Sequence, residues 1–296
     1  MFGSHLSISG GMHNALLEAE KLGMGCVQVF TKNQQQWKAK PLDPAAIEAW
    51  KSHCTRLNFA HTVSHDSYLI NLASPDDALW RKSIDLFVEE LTRCIILGIP
   101  YLVTHPGAHT GSGEEAGLKR VAQGLDEVHK RLPAPRPPKN SGLRAQHSGL
   151  FPVTCLEITA GQGSCLGHRL EHLATIIELS KAPERLAVCL DTAHLFAAGY
   201  DFRGRKYAAF IKQIEKTVGL DRIKVLHLND SKKELGSRVD RHDHIGRGTI
   251  GLEGFKPIVR DKRWKNIPKI LETPKEEHES GRDWDTVNLE TLRSLM

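Results

Sequence analysis

The sequence predicts an α/β fold, a single (β/α)₈ TIM barrel over residues 1–296. Short apolar runs alternate with longer amphipathic segments, which is typical of parallel strands covered by helices. Eight such units can be counted, and a chain of 296 residues lies within the size range of one barrel. An open doubly wound sheet would carry a Gly-rich phosphate loop after its first strand, and no GxGxxG or Walker sequence is present.

The eight predicted strands are residues 2–7, 26–30, 62–65, 101–105, 154–158, 186–191, 224–229 and 269–273. Helical periodicity between them predicts helices that include residues 15–22, 80–97, 117–132, 172–179 and 207–218. A Pro-rich segment at about 132–152 predicts a loop insertion. Because it leads from a helix into strand five, we expect it on the face opposite the chemistry, where it is dispensable for catalysis.

Composition excludes a membrane protein, since 40% of residues are apolar, 25% are charged, and no apolar run is long enough to cross a bilayer. A net charge of +5 is too small to indicate nucleic acid binding by itself. The chain starts at Met1 without a charged and apolar leader. We therefore expect a cytoplasmic, nucleoid-associated protein in a bacterium, or a nuclear or mitochondrial one in a eukaryote.

The cysteines and histidines differ in what they indicate. The six cysteines are scattered without a CxxC pair, so we expect buried thiols in a reducing compartment rather than a thiolate zinc site or disulfides. Sixteen histidines are more informative, because a His-rich chain of ordinary complexity can use imidazole as a metal ligand.

Histidines and carboxylates recur at the ends of the predicted strands. His65 ends strand three and His105 ends strand four, although a single histidine there is typical of a hydrogen-bonded structural residue. Glu157 and Glu272 follow apolar pairs in strands five and eight. A buried glutamate needs a metal, a cation or a strong set of hydrogen bonds, and a Lys or Arg ion pair is the structural alternative.

Strands six and seven add further ligand-type side chains. Asp191 and His194 are spaced to point into one cleft, but Asp191 is equally suited to be the N-cap of the next helix. His227 ends strand seven, and the loop after it contains Asp240 and His242. An Asp and a His two residues apart can bind one ion together, whereas a solvated polar loop is the alternative.

Taken together, these side chains predict a metal site, because the carboxyl ends of barrel strands surround one cavity. The predicted ligands are His65, His105, Glu157, Asp191, His194, His227, Asp240, His242 and Glu272. Nine mixed N/O ligands exceed what one zinc ion needs, so we expect two or three ions.

Several long motifs resemble those of the endonuclease IV family of apurinic/apyrimidinic endonucleases, in the same order and over nearly the whole chain. They are VFTKNQ (29–34), HDSYLINL (65–72), HPGAH (105–109), LEITAGQGS (156–164), CLDTAHLFAAGYD (189–201), HLNDSK (227–232), GSRVDRH (236–242) and ILET (270–273).

The resemblance implies a barrel with three Zn²⁺ ions, with Mn²⁺ as an alternative at one site. His65, His105 and Glu157 would hold the first ion. The second would lie between Glu157, Asp191, His227 and Glu272, and the third between His194, Asp240 and His242. Glu157 would bridge two ions, and Glu157 and Glu272 would be the catalytic residues. His244 is the alternative to His242.

The resemblance also implies a reaction, that of a hydrolase of the deoxyribonuclease IV class. Close zinc ions can share a water and lower its pKa toward neutrality, while binding phosphate oxygens. The family hydrolyses the phosphodiester on the 5′ side of an abasic site, leaving a 3′-hydroxyl and a 5′-deoxyribose phosphate. Trimming of blocked 3′ ends is the expected second activity. The implied partner is double-stranded DNA with abasic sites or blocked 3′ ends, bound by a monomer.

For DNA contact, the resemblance implies that Gln36 and Tyr68 fill the space left by the flipped abasic nucleotide. Gln35 departs from relatives that carry Arg, which weakens an electrostatic contact. Arg241 is a predicted phosphate contact, with Lys232, Lys233, Arg238 and Arg247 beside it in the loop after strand seven. Ile158 departs from relatives with Asn, so the hydrogen bonding around Glu157 is expected to differ.

Two alternatives compete with a nuclease. A sugar isomerase or epimerase on a related barrel would use one or two divalent ions, but it has no need for the Asp240 and His242 pair in a basic loop. A DNA-damage binding protein without catalysis would be expected to have lost at least one ligand, and the set of ligand types is complete.

Overall fold

A computed structural model describes residues 1–132, 151–276 and 278–296, and it confirms the TIM barrel. The barrel strands are β1 (Phe2–Ser4), β2 (Val27–Val29), β3 (Thr62–His65), β4 (Tyr101–Thr104), β5 (Val153–Glu157), β6 (Leu186–Asp191), β7 (Ile223–His227) and β10 (Lys269–Leu271). They pair in parallel in the order β1-β10-β7-β6-β5-β4-β3-β2. A parallel bridge between His5 and Gln28 brings the two edge strands together and closes the barrel.

Helices cover the outside of the barrel. They are α1 (His13–Lys21), α2 (Pro44–Leu57), α3 (Asp77–Leu97), α4 (Glu114–Arg131), α5 (Leu170–Leu179), α6 (Thr192–Ala197), α7 (Tyr207–Thr217), α8 (Leu252–Arg260) and α9 (Trp284–Ser294). Aspartate N-caps at Asp43, Asp76 and Asp283 fix the starts of α2, α3 and α9 by accepting backbone N–H groups. Within the described ranges, no helix is long and apolar enough to cross a membrane.

The predicted strands agree with the structure to different degrees. β3 and β6 have the predicted bounds, whereas β1 ends at Ser4 rather than at residue 7. A two-residue antiparallel ribbon, β8 (Asp230–Ser231) with β9 (His242–Asp243), lies in the loop after β7 and was not predicted. The predicted Pro-rich insertion falls mainly on residues 133–150, which lie outside the described residues.

Two apolar layers hold the barrel together, because successive strand side chains point to opposite faces. The larger layer packs the strands against the helices, with Phe87, Leu102 and Leu156 among its buried members. The smaller layer fills the barrel interior with compact side chains, namely Cys26, Val63, Val103, Cys155, Ala187, Cys189, Val225 and Ile270. This inner layer forms an apolar floor beneath the carboxyl ends of the strands.

The cysteines are all free thiols, and four of them are buried as expected. Cys26, Cys155 and Cys189 belong to the barrel interior, and Cys94 lies on α3. Core placement was wrong for Cys54 and Cys165, which are only partly buried. Cys54 lies on the partly exposed helix α2, and Cys165 lies in the loop after β5.

Ile270→Ala tests the interior floor. Ile270 has no exposed surface, so the substitution leaves a cavity and should lower the free energy of unfolding by about 2–5 kcal/mol. Ile96→Ala on α3 is the matched control, because Ile96 is 38% exposed and should cost no more than about 1 kcal/mol. Urea denaturation measures both, and equal losses would contradict the packing described here.

Candidate metal centre

Six of the nine predicted ligands lie directly above the interior floor. Each of the six lies two residues beyond a floor residue, on the same strand or just past its end, as His65 does after Val63 and Glu157 does after Cys155. Because strand side chains alternate, this spacing points each of them into the barrel axis. The same spacing places His105, Asp191, His227 and Glu272 after Val103, Cys189, Val225 and Ile270.

Glu157 lies at the centre of the site and is fully buried. Its carboxylate lies 3.2 Å from Nε2 of His65 and 3.2 Å from Nε2 of His105. On the other side it lies 3.0 Å from Nδ1 of His227 and 3.2 Å from Nδ1 of His194. Among the residues that the structure describes, no Lys or Arg forms an ion pair with Glu157 or Glu272, so the ion-pair alternative has no support.

The side chains fall into three groups that could hold metal ions. The first is His65, His105 and Glu157, and the second is Glu157, Asp191, His227 and Glu272. The third contains His194 and His242, with Asp191 close to both. Asp240 joins this third group, because its carboxylate lies 3.2 Å from Nε2 of His194 and 3.4 Å from Nε2 of His242.

Asp191 serves both of the roles that the sequence left open. Its Oδ1 accepts the backbone N–H of His194 at 2.8 Å and thereby caps α6. Its Oδ2 faces the site, 3.9 Å from Nδ1 of His227 and 3.8 Å from Nε2 of His242. The two carboxylate oxygens point in different directions, so Asp191 caps α6 and faces the site at the same time.

The hydrogen-bond partners of the histidines indicate tautomers that suit bound cations. Backbone carbonyls only accept hydrogen bonds, so Nδ1 of His65, which lies 3.0 Å from the carbonyl of Asp66, must carry a proton. The Nε2 lone pair of neutral His65 then points at the Glu157 carboxylate. Nε2 of His227 donates to Oε1 of Gln28 at 2.9 Å, which leaves the Nδ1 lone pair facing Glu157 and Glu272.

His194 and His242 repeat this arrangement. Nδ1 of His194 donates to the carbonyl of Ile158 at 3.0 Å, and Nδ1 of His242 donates to the carbonyl of Glu272 at 3.1 Å. Their two Nε2 atoms therefore face each other at 3.4 Å, with a lone pair on each neutral ring. Two lone pairs at that distance repel unless a proton or a metal ion lies between them.

The pKa shifts of His65 and Glu157 show that the site favours positive charge beside the buried carboxylate. Burial by itself lowers the pKa of His65, but the hydrogen bond and charge of Glu157 raise it to about 9. Burial raises the pKa of Glu157, while His227 and His105 lower it well below its usual value. Divalent ions would supply this charge without protonating the imidazoles, so the residues present fit a metal cluster.

Two residues of the site were missed in the sequence, Gln28 on β2 and His5 beyond β1. Nε2 of Gln28 donates to Glu272 at 2.5 Å while its Oε1 accepts from His227 at 2.9 Å. Nδ1 of His5 lies 3.3 Å from Glu272. The signal was available, because Gln28 lies two residues after the floor residue Cys26.

The loop after β7 is shaped by buried polar side chains that the sequence did not single out. Asn229 donates to Oδ2 of Asp191 at 2.6 Å and accepts the backbone N–H of Glu272 at 2.7 Å. Asp230 accepts the backbone N–H groups of Ile250 and Gly246, at 3.0 and 2.9 Å. These bonds fold the segment back so that its ribbon strand β9 brings His242 over the site.

His244 lies outside the site. Its ring stacks on Trp284 with a centroid distance of 3.5 Å, and Nδ1 lies 3.2 Å from Nδ2 of Asn288. The alternative that His244 replaces His242 therefore has no support. The side chain of Ile158 is buried in the outer apolar layer, and its backbone carbonyl accepts a hydrogen bond from Nδ1 of His194. The expected difference in hydrogen bonding around Glu157 stays a prediction.

The predicted DNA-contacting residues lie on loops around the site. Tyr68 is 65% exposed and its ring is 5.8 Å from that of His65. Gln35 and Gln36 are exposed in the loop after β2, and Arg241 is exposed beside Asp240. A cleft of about 530 Å³ adjoins the site, and its lining includes Tyr68, His105, Gln162, His194 and Asp240. Through this cleft, a large ligand can reach the three groups of side chains that could hold metal ions.

Comparison with known proteins agrees with this geometry. A family model described as a xylose isomerase-like TIM barrel matches residues 16–295. A protein named probable endonuclease 4 from Chloroflexus aurantiacus is 49% identical over 296 residues, covering 100% of this chain and 98% of the relative. The crystal structure of endonuclease IV from Thermus thermophilus matches with a TM-score of 0.82 and 36% identity, covering 99% of this chain and 98% of that one.

The chain belongs to the endonuclease IV family. It is therefore an enzyme of the hydrolase class, a nuclease. A D-tagatose 3-epimerase-like protein also matches, with a TM-score of 0.69 at 17% identity over 99% of this chain and 96% of that one. At that identity the likeness concerns the barrel alone.

Substitution of His242 and of His244 tests the third group. His242→Asn removes a nitrogen aimed at Asp240 and His194, and we expect it to lower bound metal by about one equivalent per chain. His244→Asn is the matched control and should leave the metal content unchanged. Inductively coupled plasma mass spectrometry on both variants measures this, and metal loss only in the control would show that the ligand is misassigned.

Gln28→Leu tests the outer contacts of the site. It removes the acceptor that keeps Nδ1 of His227 unprotonated, so metal affinity should fall about 10- to 100-fold. Gln213→Leu on the exposed face of α7 is the control. Competition with a metal-binding dye gives the dissociation constants, and an unchanged value for Gln28→Leu would refute its proposed positioning role.

Proposed function

We propose that this protein is an apurinic/apyrimidinic endonuclease that hydrolyses the phosphodiester bond 5′ to an abasic site in duplex DNA. The observation that carries the proposal is the convergence of His and carboxylate groups whose neutral lone pairs face one another beside an open cleft. Such an arrangement needs several cations, and a phosphodiester is a substrate whose charge several cations stabilise. The family assignment places the reaction among nucleases.

Three Zn²⁺ ions are the proposed cofactor, with Mn²⁺ an alternative at one site. His65, His105 and Glu157 would hold the first, and Glu157, Asp191, His227 and Glu272 the second. His194, Asp240 and His242 would hold the third. When bound, such ions polarise the phosphodiester, activate a water as nucleophile and stabilise the leaving oxygen.

The protein's own residues position the reacting groups. Glu157 and Glu272 are the proposed catalytic carboxylates. Glu272 accepts a hydrogen bond from Nε2 of Gln28, and Glu157 lies above the floor within 3.2 Å of four imidazoles. Tyr68 and Gln36 would occupy the space left by an abasic nucleotide flipped toward the cleft, a step that costs least where no base is stacked. Arg241 and Gln35, both exposed on the same rim, would contact the DNA backbone.

The products would be a 3′-hydroxyl and a 5′-deoxyribose phosphate. A cleft open to solvent also suits a blocked 3′ end, so removal of 3′ blocking groups is the proposed second activity. We further propose that residues 1–296 act as one barrel domain and as a monomer. A cytoplasmic, nucleoid-associated location in a bacterial host follows from the proposed substrate.

The deciding experiment uses a duplex that carries a single tetrahydrofuran abasic analogue. The purified, metal-loaded protein should cut only the analogue-containing strand, on the 5′ side, and an undamaged duplex of the same sequence is the control. Chelation with EDTA should abolish cutting and readdition of Zn²⁺ should restore it. A fully metallated protein that leaves the analogue duplex intact would refute the nuclease proposal.

Glu272→Gln separates chemistry from binding. It removes a carboxylate that lies 3.1 Å from Nδ1 of His227. We expect the rate of cutting to fall at least about 100-fold, because substitution of a residue that only supports a metal ligand already costs about 10- to 100-fold. Binding of the analogue duplex, measured by fluorescence anisotropy, should persist. Glu276→Gln, at a mostly exposed glutamate four residues away, is the control that should cut normally. Normal cutting by Glu272→Gln would mean that the catalytic carboxylate is misplaced.

A further inference from the structure

A buried group of charges lies beneath the two loops that carry the proposed DNA-contacting residues. The first loop, residues 31–40 after β2, holds Gln35 and Gln36, and the second, residues 66–69 after β3, holds Tyr68. Helix α3 packs below them and contributes Glu90 and Arg93. Buried charges are costly unless they are paired, so their presence here calls for an explanation.

Lys32 points inward, although it lies in a loop beside a proposed DNA surface. Its side chain is only 4% exposed, and Nζ lies 3.7 Å from Oε1 of Glu90. The ammonium group donates to the carbonyl of Asn33 at 3.0 Å and to the carbonyl of Gln36 at 2.7 Å. Lys32 therefore organises the backbone around Gln36 and is not available to contact a phosphate.

Arg93 fixes both ends of the same loop. Its Nε donates to the carbonyl of Thr31 at 3.1 Å, and its Nη1 donates to the carbonyl of Lys40 at 2.9 Å. A further contact from α3 comes from Lys82, whose Nζ lies 4.0 Å from the centre of the Trp37 ring. The first loop is thus held at its start, middle and end.

Glu90 connects the two loops. Its side chain is 2% exposed, and its Oε1 accepts the backbone N–H of Ser67 at 3.2 Å in the second loop. Its Oε2 lies 3.4 Å from the hydroxyl of Thr31 in the first loop. The hydroxyl of Ser67 completes the connection by donating to the carbonyl of Gln34 at 2.5 Å.

We propose that Glu90 is a positioning residue for damaged-DNA recognition, which joins these two loops to α3 as one rigid unit. The unit sets the separation of Gln36 and Tyr68 before DNA arrives, so less conformational freedom is lost on binding. Glu90 belongs neither to the three groups of predicted metal ligands nor to the lining of the cleft. Its effect is therefore on binding of the damaged duplex, and not on the chemical step.

This proposal rests on the proposed function, and Glu90→Gln tests it. The variant keeps the shape and an acceptor for Ser67 but removes the charge that pairs with Lys32. We expect KM for the tetrahydrofuran duplex to rise about tenfold or more, as loss of a charged hydrogen bond predicts. The kcat, the bound metal and hydrolysis of bis(4-nitrophenyl) phosphate, a small diester that cannot span the loops, should stay within about twofold.

Asp85→Asn is the matched control on the same helix, since the side chain of Asp85 is 66% exposed and pairs with Arg131 of α4, not with a residue of either loop. Its KM should equal that of the unmodified protein. If Glu90→Gln does not fold, Ser67→Ala replaces it. This change removes the hydroxyl bond between the loops, together with the 3.3 Å bond that the hydroxyl accepts from the N–H of Leu69, and should raise KM in the same way. An unchanged KM in the folded variant overturns the proposal.

A double-mutant cycle with Gln36→Ala distinguishes positioning from general loss of stability. If Glu90 acts through the loop, Glu90→Gln should raise KM much less in the Gln36→Ala background than in the unmodified protein. Effects that multiply independently would overturn the proposal. Failure of the unmodified protein to cut the duplex would instead refute the proposed function, so the two failures are distinguishable.

Discussion

The rest of the site depends on the burial of the Glu157 carboxylate among imidazoles. Glu157 is fully buried, and the histidines around it come from four different strands or strand ends. Backbone and amide acceptors fix the tautomers of most of these rings, so their remaining nitrogen atoms face carboxylates as acceptors. Such a set is unfavourable when it is neutral and becomes favourable when cations occupy it. The fold thus holds in place an arrangement that is suited to bind cations.

A second cluster of the same residue types shows that composition alone does not make such a site. Glu114, His168 and His172 also lie close together. There, however, Glu114 is partly exposed and already paired with Arg169 at 3.1 Å. Nδ1 of His172 accepts the backbone N–H of Gly167, and its Nε2 accepts a hydrogen bond from Nε of Arg169 at 3.0 Å, so an arginine supplies the positive charge here. This cluster satisfies itself, whereas the described part of the chain gives the central site no Lys or Arg partner.

The barrel strands and the loops contribute different parts of the site. The interior floor fixes the directions of the strand-borne ligands, and the barrel is shared with proteins as different as a D-tagatose 3-epimerase-like protein. In this chain, further contacts come from beyond the strands. The loop after β7 brings Asp240 and His242 over the floor, and α3 holds the loops after β2 and β3 through Glu90 and Arg93. A rigid floor with separately anchored loops allows one barrel to serve different chemistry.

The sequence by itself determined the barrel and the residues that converge in it. Buried parallel strands appear as apolar runs, and a His or Glu two residues beyond a floor residue must share that residue's face. The predicted end of β1 was wrong, because strand pairing stops at Ser4 whereas the apolar pattern continues beyond it.

Only the tertiary structure decided which partners each side chain meets. It gave Asp191 both a cap and a site-facing oxygen, brought in Gln28 and His5, and turned His244 toward Trp284. It also turned Lys32 inward toward Glu90, although a lysine in a loop is usually solvated. The physical reason is that hydrogen bonds and charge pairs join residues far apart in the chain, and no local pattern records them.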